Sequence, residues 1–161
     1  MVFKKGALFF LLFCVLSRGI CFAEARYVSP ERLADSSDQI VIGSVVKVDQ
    51  SREEEPGPGS LKVPVRYAEV AVEDVFKGRS ANKIRIRFAY HKAREADVQD
   101  PNLKEGERAL FYLSAVKGGG DLFRVVNRWS GRCRIIQGKL YHQYDVHDER
   151  VYLKALKDYL K

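Results

Sequence analysis

The chain has 161 residues, and its 28 Lys or Arg residues outnumber its 21 Asp or Glu residues, so the net charge is +7. This length suits one domain, and charges of both signs mixed along the chain are typical of a solubilising surface. Of the three cysteines, only Cys133 lies beyond residue 25, which excludes an intramolecular disulfide in the rest of the chain.

The first 25 residues predict a secretory signal peptide. Lys4 and Lys5 form a positive start, residues 7–16 are apolar, and Ala23-Glu24-Ala25 offers a small-x-small cleavage site after Ala23 or Ala25. The apolar stretch is too short to anchor the chain in a bilayer. We therefore expect a single exported domain, residues 26–161, that is periplasmic or secreted and keeps no transmembrane anchor. Export excludes most nucleotide-dependent and genome-directed roles.

The first half of this domain begins with a helix start and continues as strands. Ser29-Pro30-Glu31 has a capping residue, a first-turn proline and a first-turn acid. Residues 40–48 form a β-branched run in which Gly43 indicates a bulge. We predict an exposed polar loop over 50–61, then strands over 63–76 and 83–90, where apolar and basic residues alternate.

The second half predicts a connection, three strands and a helix. Residues 91–106 are a long connection, with a short helix over 92–98. Strands follow over 107–116, 122–128 and 132–137, and Gly118-Gly119-Gly120-Asp121 is a tight reversal. Apolar residues recur at three- and four-residue spacing over 148–160, which predicts a C-terminal helix.

This element order predicts a mainly β fold. Three strands, a helical connection, further strands and a C-terminal helix are the order of a five-to-six-stranded OB-type Greek-key barrel. A β-sandwich would need more strands at even spacing. The OB-type interpretation also explains the long 91–106 connection, which otherwise needs a special reason.

Three phrases carry a family resemblance: Ala34-Asp35 followed by Ile40-Val41-Ile42-Gly43-Ser44-Val45-Val46, then Val70-Ala71-Val72-Glu73-Asp74-Val75-Phe76-Lys77-Gly78, then Gly106-Glu107-Arg108-Ala109-Leu110-Phe111-Tyr112-Leu113. In order and spacing they resemble bacterial exported proteins similar to tissue inhibitors of metalloproteinases and netrin-like modules. The resemblance covers residues 33–128 and implies an OB-type barrel.

One departure from that family removes its inhibitory chemistry. Animal members begin with a cysteine whose amino group and carbonyl chelate the protease zinc. The predicted start here is Arg26, or Glu24 after cleavage at Ala23, and neither residue reproduces that arrangement. No residue of this chain inherits the inhibitory role.

The residues predict no catalytic site and no cofactor. His142, Asp145 and His147 are weak metal candidates, because their spacing matches no compact site and the histidines lie five residues apart. Asp148 or Asp145 is more simply the N-cap of the last helix. A serine or Cys133 can be combined with a histidine and an aspartate on paper, but none lies in a nucleophile elbow.

Cys133 alternates with Ile135 along a strand-like run, which favours a small buried hydrophobe. The alternative is a reactive thiol whose pKa Arg132 and Arg134 would lower if it were exposed.

Basic residues near aromatic ones are the candidate ligand-binding set. OB-type barrels use such faces to hold single strands or sugars, and the alternative is a solvated outer face. The candidates are Arg85, Arg87, Arg128, Trp129, Arg132 and Arg134.

We therefore expect a non-enzymatic binding module that acts through loops 50–62 and 91–106 on an extracytoplasmic protein or envelope partner. The alternative is a carbohydrate- or polyanion-binding protein that uses the Arg and Trp set. Polyanion binding would weaken steeply with salt, whereas an interface with an apolar centre would respond less. We expect no nucleic-acid partner.

Overall fold

A computed structural model describes the chain over residues 27–56, 62–90, 102–127, 130–143 and 145–161. These residues form a mainly β structure with two helices. The helices are α1 (Pro30–Asp35) and α2 (Glu149–Tyr159). The strands are β1 (Gln39–Pro56), β2 (Lys62–Lys77), β3 (Lys83–Ala89), β4 (Arg108–Ala115), β5 (Leu122–Val125), β6 (Arg132–Ile136), β7 (Lys139–His142) and β8 (Asp145–Asp148).

The strands belong to one sheet whose first five members form a partial ring. Their order is β1-β2-β3-β5-β4, and β1 also pairs with β4, which brings the two ends of this series together. All of these pairings are antiparallel except the short parallel contact between β3 and β5. Strands β6, β7 and β8 then extend the sheet from β4.

Strand β4 and residues 39–45 of β1 are buried on both faces, which explains their nearly continuous apolar runs. Val41 and Val45 of β1 pack inside the ring with residues of β2, β3 and β4. Ile40 and Ile42 point the other way, into a second core formed with β6, β7 and the two helices. Strands β1 and β4 therefore each contribute side chains to both apolar clusters.

The predicted bulge at Gly43 is confirmed. The β1–β2 register shifts between Ile42 and Gly43. A Cβ atom at residue 43 would lie only 2.5 Å from the Ala71 carbonyl oxygen and 2.6 Å from Val70 Cγ1. Glycine is needed here because the two strands approach too closely for any side chain.

Two sequence interpretations were wrong. Residues 50–56 are part of β1 and pair with β2, so they are not a loop. The acidic run 53–55 is compatible with either structure, since charged residues are typical of loops as well as of exposed strands. Strands β7 and β8, of four residues each, were not predicted. The predicted signal peptide and the predicted helix over 92–98 lie outside the described residues.

Within the described residues, no helix has the length and apolarity needed to cross a lipid bilayer.

Candidate binding groove

A groove of about 450 Å³ separates the segment before and at the start of α1 from helix α2. Hereafter it is called the α1–α2 groove. The first wall consists of Tyr27, Ser29, Pro30 and Glu31. The second wall and the floor consist of His147, Asp148, Val151, Tyr152, Ala155, Leu156 and Tyr159. Its volume lies within the range of small-ligand and side-chain pockets.

Local sequence signals position both walls. Ser29 Oγ caps α1 by accepting from the Arg32 N–H, and Pro30 occupies the first turn. Asp148 caps α2 by accepting from the N–H groups of Arg150 and Val151. The predicted cap at Ser29 is confirmed, and of the two candidates for the cap of the last helix, Asp148 and Asp145, the structure shows Asp148. They determine where each helix begins and therefore which residues face the groove.

Helix α2 carries more apolar surface than the core uses. Tyr152 and Leu156 are buried against the sheet. Val151 and Tyr159, on the groove side, are 68% and 46% exposed. The predicted C-terminal helix is confirmed, and the apolar residues of its stripe divide between the core and the groove.

A cluster of aromatic and imidazole rings lies beneath the groove. The ring centroids of Tyr27 and His142 are 5.5 Å apart, those of His142 and Tyr152 are 6.2 Å apart, and those of His147 and Tyr152 are 5.2 Å apart. Gln143 joins this cluster to the N-terminal segment, because its side chain accepts from Val28 N–H and donates to Val28 C=O. These contacts hold Tyr27 at the edge of the groove.

Cys133 lies in the core below this cluster and is fully buried. Burial raises the pKa of its thiol to about 12, although a hydrogen bond with Tyr152 acts in the opposite direction. Tyr152 also shares a 3.1 Å hydrogen bond with the hydroxyl of Tyr112, and burial raises the pKa of both phenols. The structure therefore places Cys133 in the interior and away from solvent, where burial outweighs the opposing effects of Tyr152 and the Arg132 charge.

The two histidines are not arranged as metal ligands. His142 is fully buried, and burial followed by the charge of His147 lowers its pKa to about 4. His142 lies directly opposite Asp145 in the β7–β8 pair. In the described part of the chain, no three or more His, Cys, Asp or Glu side chains are grouped to hold a metal ion.

The charged residues that line the α1–α2 groove are acidic. Among the described residues of the lining, Glu31 and Asp148 are the two carboxylates, and none is a Lys or Arg. Burial is the main cause of the raised pKa of Tyr27, and the 2.8 Å hydrogen bond that Tyr159 donates to Asp35 is the main cause of the raised pKa of Tyr159. The Glu31 charge makes a smaller contribution to both. The groove is therefore apolar and aromatic, with a negative rim.

The two candidate ligand-binding arginines on β3, Arg85 and Arg87, contact an aromatic ring and carboxylates of the protein itself. Arg87 is only 13% exposed and lies 2.5 Å from Glu55 and 3.6 Å from Glu53. The Arg85 guanidinium lies 4.8 Å from the centre of the Tyr67 ring. This face of β3 therefore presents its positive charges against carboxylates and an aromatic ring of β1 and β2.

The two candidate ligand-binding arginines on β6, Arg132 and Arg134, lie on a strand that is not adjacent to β3. Arg132 is buried, donates to the Asn102 carbonyl at 2.6 Å and pairs with Glu107 at 3.3 Å. Arg134 is more exposed, and its Nε lies 4.0 Å from the same carboxylate. Strands β5 and β4 separate β6 from β3 in the sheet.

The predicted basic set is therefore divided in the structure. Its β3 and β6 members lie on separate strands, and buried Arg132 is unavailable to a ligand at the surface. Arg128 and Trp129 lie outside the described residues.

Sequence reasoning missed the α1–α2 groove because its walls are far apart in the chain. A signal was available on α2, where Val151, Tyr152, Ala155, Leu156 and Tyr159 form a stripe wider than one sheet contact needs.

Compared with known proteins, the chain matches no family model and no curated protein sequence.

Proposed function

We propose that this chain is an exported, non-enzymatic interaction module on an OB-type barrel, and that it binds a protein partner at the α1–α2 groove. The observation that carries the proposal is the exposure of Tyr27, Val151 and Tyr159 around one concave, mostly apolar surface. Apolar side chains that converge on a concave surface are typical of binding sites.

The strand pairings support the OB-type part of the proposal. An OB-type barrel is a five-stranded, partly open Greek-key barrel. Here five strands follow the order β1-β2-β3-β5-β4, and β4 pairs back to β1. The resemblance to tissue-inhibitor and netrin-like modules remains a prediction of the sequence, as does export through residues 1–25.

The charges favour a protein partner over a polyanion. On the outer face of β1, β2 and β3, Lys83 pairs with Glu69, Lys47 pairs with Asp49, and Arg87 pairs with Glu55. A polyanion would have to displace these carboxylates to reach the cations. The α1–α2 groove, whose rim is acidic, would repel a polyanion.

Site-specific photo-crosslinking tests the proposal. The full chain carries p-benzoylphenylalanine in place of Val151 in the groove or, as the control, in place of Val46. Both valines are exposed, at 68% and 47%, but Val46 lies on β1 and does not line the groove. Cells that export the protein are irradiated, and the adducts are identified by mass spectrometry.

We expect a discrete protein adduct at position 151 that is absent at position 46 and that still forms when irradiation is carried out in high salt. Adducts at both positions, or at neither, would contradict binding at the groove. An adduct with polysaccharide or lipid alone, which no longer forms when irradiation is carried out at moderate salt, would favour the polyanion alternative.

A further inference from the structure

We propose that the α1–α2 groove recognises a Lys or Arg side chain within an apolar segment of its protein partner. This inference rests on the proposed function and specifies the chemistry of the partner at the same site. It is carried by acidic charge and aromatic surface that meet in the groove.

Glu31 supplies the principal negative charge. Its side chain is exposed at the start of α1. Within the described residues, Glu31 forms no ion pair. Asp148, the other acid of the lining, caps α2 and lies 3.6 Å from Lys139. Glu31 is therefore the carboxylate with free capacity for an incoming cation.

Tyrosine rings supply the second part of the recognition. Tyr27, Tyr152 and Tyr159 line the groove, and Tyr27 and Tyr159 are exposed. A Lys or Arg side chain gains from an aromatic face as well as from a carboxylate, because the face of the ring carries negative electrostatic potential. The alkyl part of either side chain can cover Val151 while the charged end approaches Glu31.

The same chemistry occurs elsewhere in this fold. The Arg66 guanidinium lies 3.4 Å from the centre of the Tyr90 ring, and Lys157 Nζ lies 4.9 Å from that of Phe76. In both contacts the cation and the aromatic ring belong to this chain. In the α1–α2 groove, none of the lining residues that the structure describes provides a cation.

The groove also contrasts with the protein as a whole. The chain has a net charge of +7, yet the charged residues described in the groove lining, Glu31 and Asp148, are both acidic. A partner segment with a positive charge is complementary to this groove, although not to the protein's net charge. The proposal therefore predicts specificity from local rather than overall electrostatics.

Three matched peptides test the inference on the full chain. Each is acetylated, amidated and nine residues long, with leucines on both sides of a central residue that is Arg, citrulline or Glu. Citrulline keeps the shape of Arg and removes its charge. Binding is measured by NMR titration, with the amide shifts of residues 27–31 and 149–159 reporting on the groove.

We expect the Arg peptide to bind about fivefold more tightly than the citrulline peptide, and the Glu peptide to bind most weakly. Glu31→Gln should reduce the Arg preference severalfold without changing the affinity for citrulline. The control Glu54→Gln, at an exposed acid of β1 outside the groove, should leave the preference unchanged.

Equal binding of the Arg and citrulline peptides at the groove would overturn the inference and leave the proposed function standing. An Arg preference that survives Glu31→Gln would overturn it too, because the charge would then be read elsewhere. If no peptide binds but the crosslink at position 151 persists, the inference fails and the proposed function stands. If both signals are absent, both fail.

Discussion

Arg132 and Glu107 form an ion pair in the protein interior, with 3.3 Å between Nε of the arginine and Oε1 of the glutamate. The two side chains are only 6% and 7% exposed. The guanidinium also donates to the Asn102 carbonyl, so it joins β6 to the segment that precedes β4. A residue predicted to bind a ligand therefore contributes to the interior of the fold.

Breaking this pair should strongly destabilise the protein. Arg132→Met removes the guanidinium that lies 3.3 Å from the buried Glu107 carboxylate, and we expect the free energy of unfolding to fall by about 3–5 kcal/mol in urea titrations. The matched control is Arg134→Met. Arg134 is 38% exposed and lies 4.0 Å from the same carboxylate. Its substitution should therefore lower the free energy of unfolding by less than about 1 kcal/mol. Equal losses for the two variants would contradict a buried role for Arg132.

The neighbours Glu54 and Glu55 should differ in their contributions to stability. Glu55 is 27% exposed and pairs with Arg87, which is 13% exposed, whereas Glu54 faces Lys62 with both side chains well exposed. We expect Glu55→Gln to lower the free energy of unfolding by about 1 kcal/mol and Glu54→Gln to change it by less than about 0.5 kcal/mol. If 50–56 were a loop, as its composition suggested, chemical denaturation would show two equally small effects.

Local features of this fold were predictable from the sequence, and long-range ones were not. Ser29 and Asp148 cap their helices through neighbouring N–H groups, and Gly43 indicates a bulge through its own lack of a side chain. The α1–α2 groove instead requires Val28 to meet Gln143, 115 residues away. Local periodicity and residue spacing do not predict a contact between residues so far apart in the chain. The burial of Arg132 was unpredictable for the same reason, because its partners Glu107 and Asn102 lie far from it in the chain.

The thiol of Cys133 should be inert in the folded protein. It is fully buried, and burial raises its pKa to about 12, so thiolate is scarce at neutral pH. In a background of Cys14→Ser and Cys21→Ser, we expect a disulfide reagent such as dithionitrobenzoate to react only as fast as the protein unfolds. Lys47→Cys in that background adds an exposed thiol and should react at once. Rapid labelling of Cys133 under native conditions would show an accessible thiol.

Acid should destabilise the fold through His142. Burial, and then the charge of His147, lower the pKa of His142 to about 4, while Asp145 and Glu31 act in the opposite direction. In the unfolded chain the imidazole binds a proton as the pH falls below about 6.5, but in the folded protein it does so only near 4. Its contribution to stability is therefore fully present above about pH 6.5 and is lost as the pH falls toward 4, by roughly 3 kcal/mol.

Urea titrations between pH 7.5 and 4.5 measure this loss. His142→Leu removes the titrating group, so the stability of that variant should fall less steeply over the same range. NMR titration of the His142 ring in the wild-type protein checks the same pKa without a substitution. A ring that titrates near 6.5 in the folded protein would contradict the prediction, because folding would then leave its proton affinity unchanged.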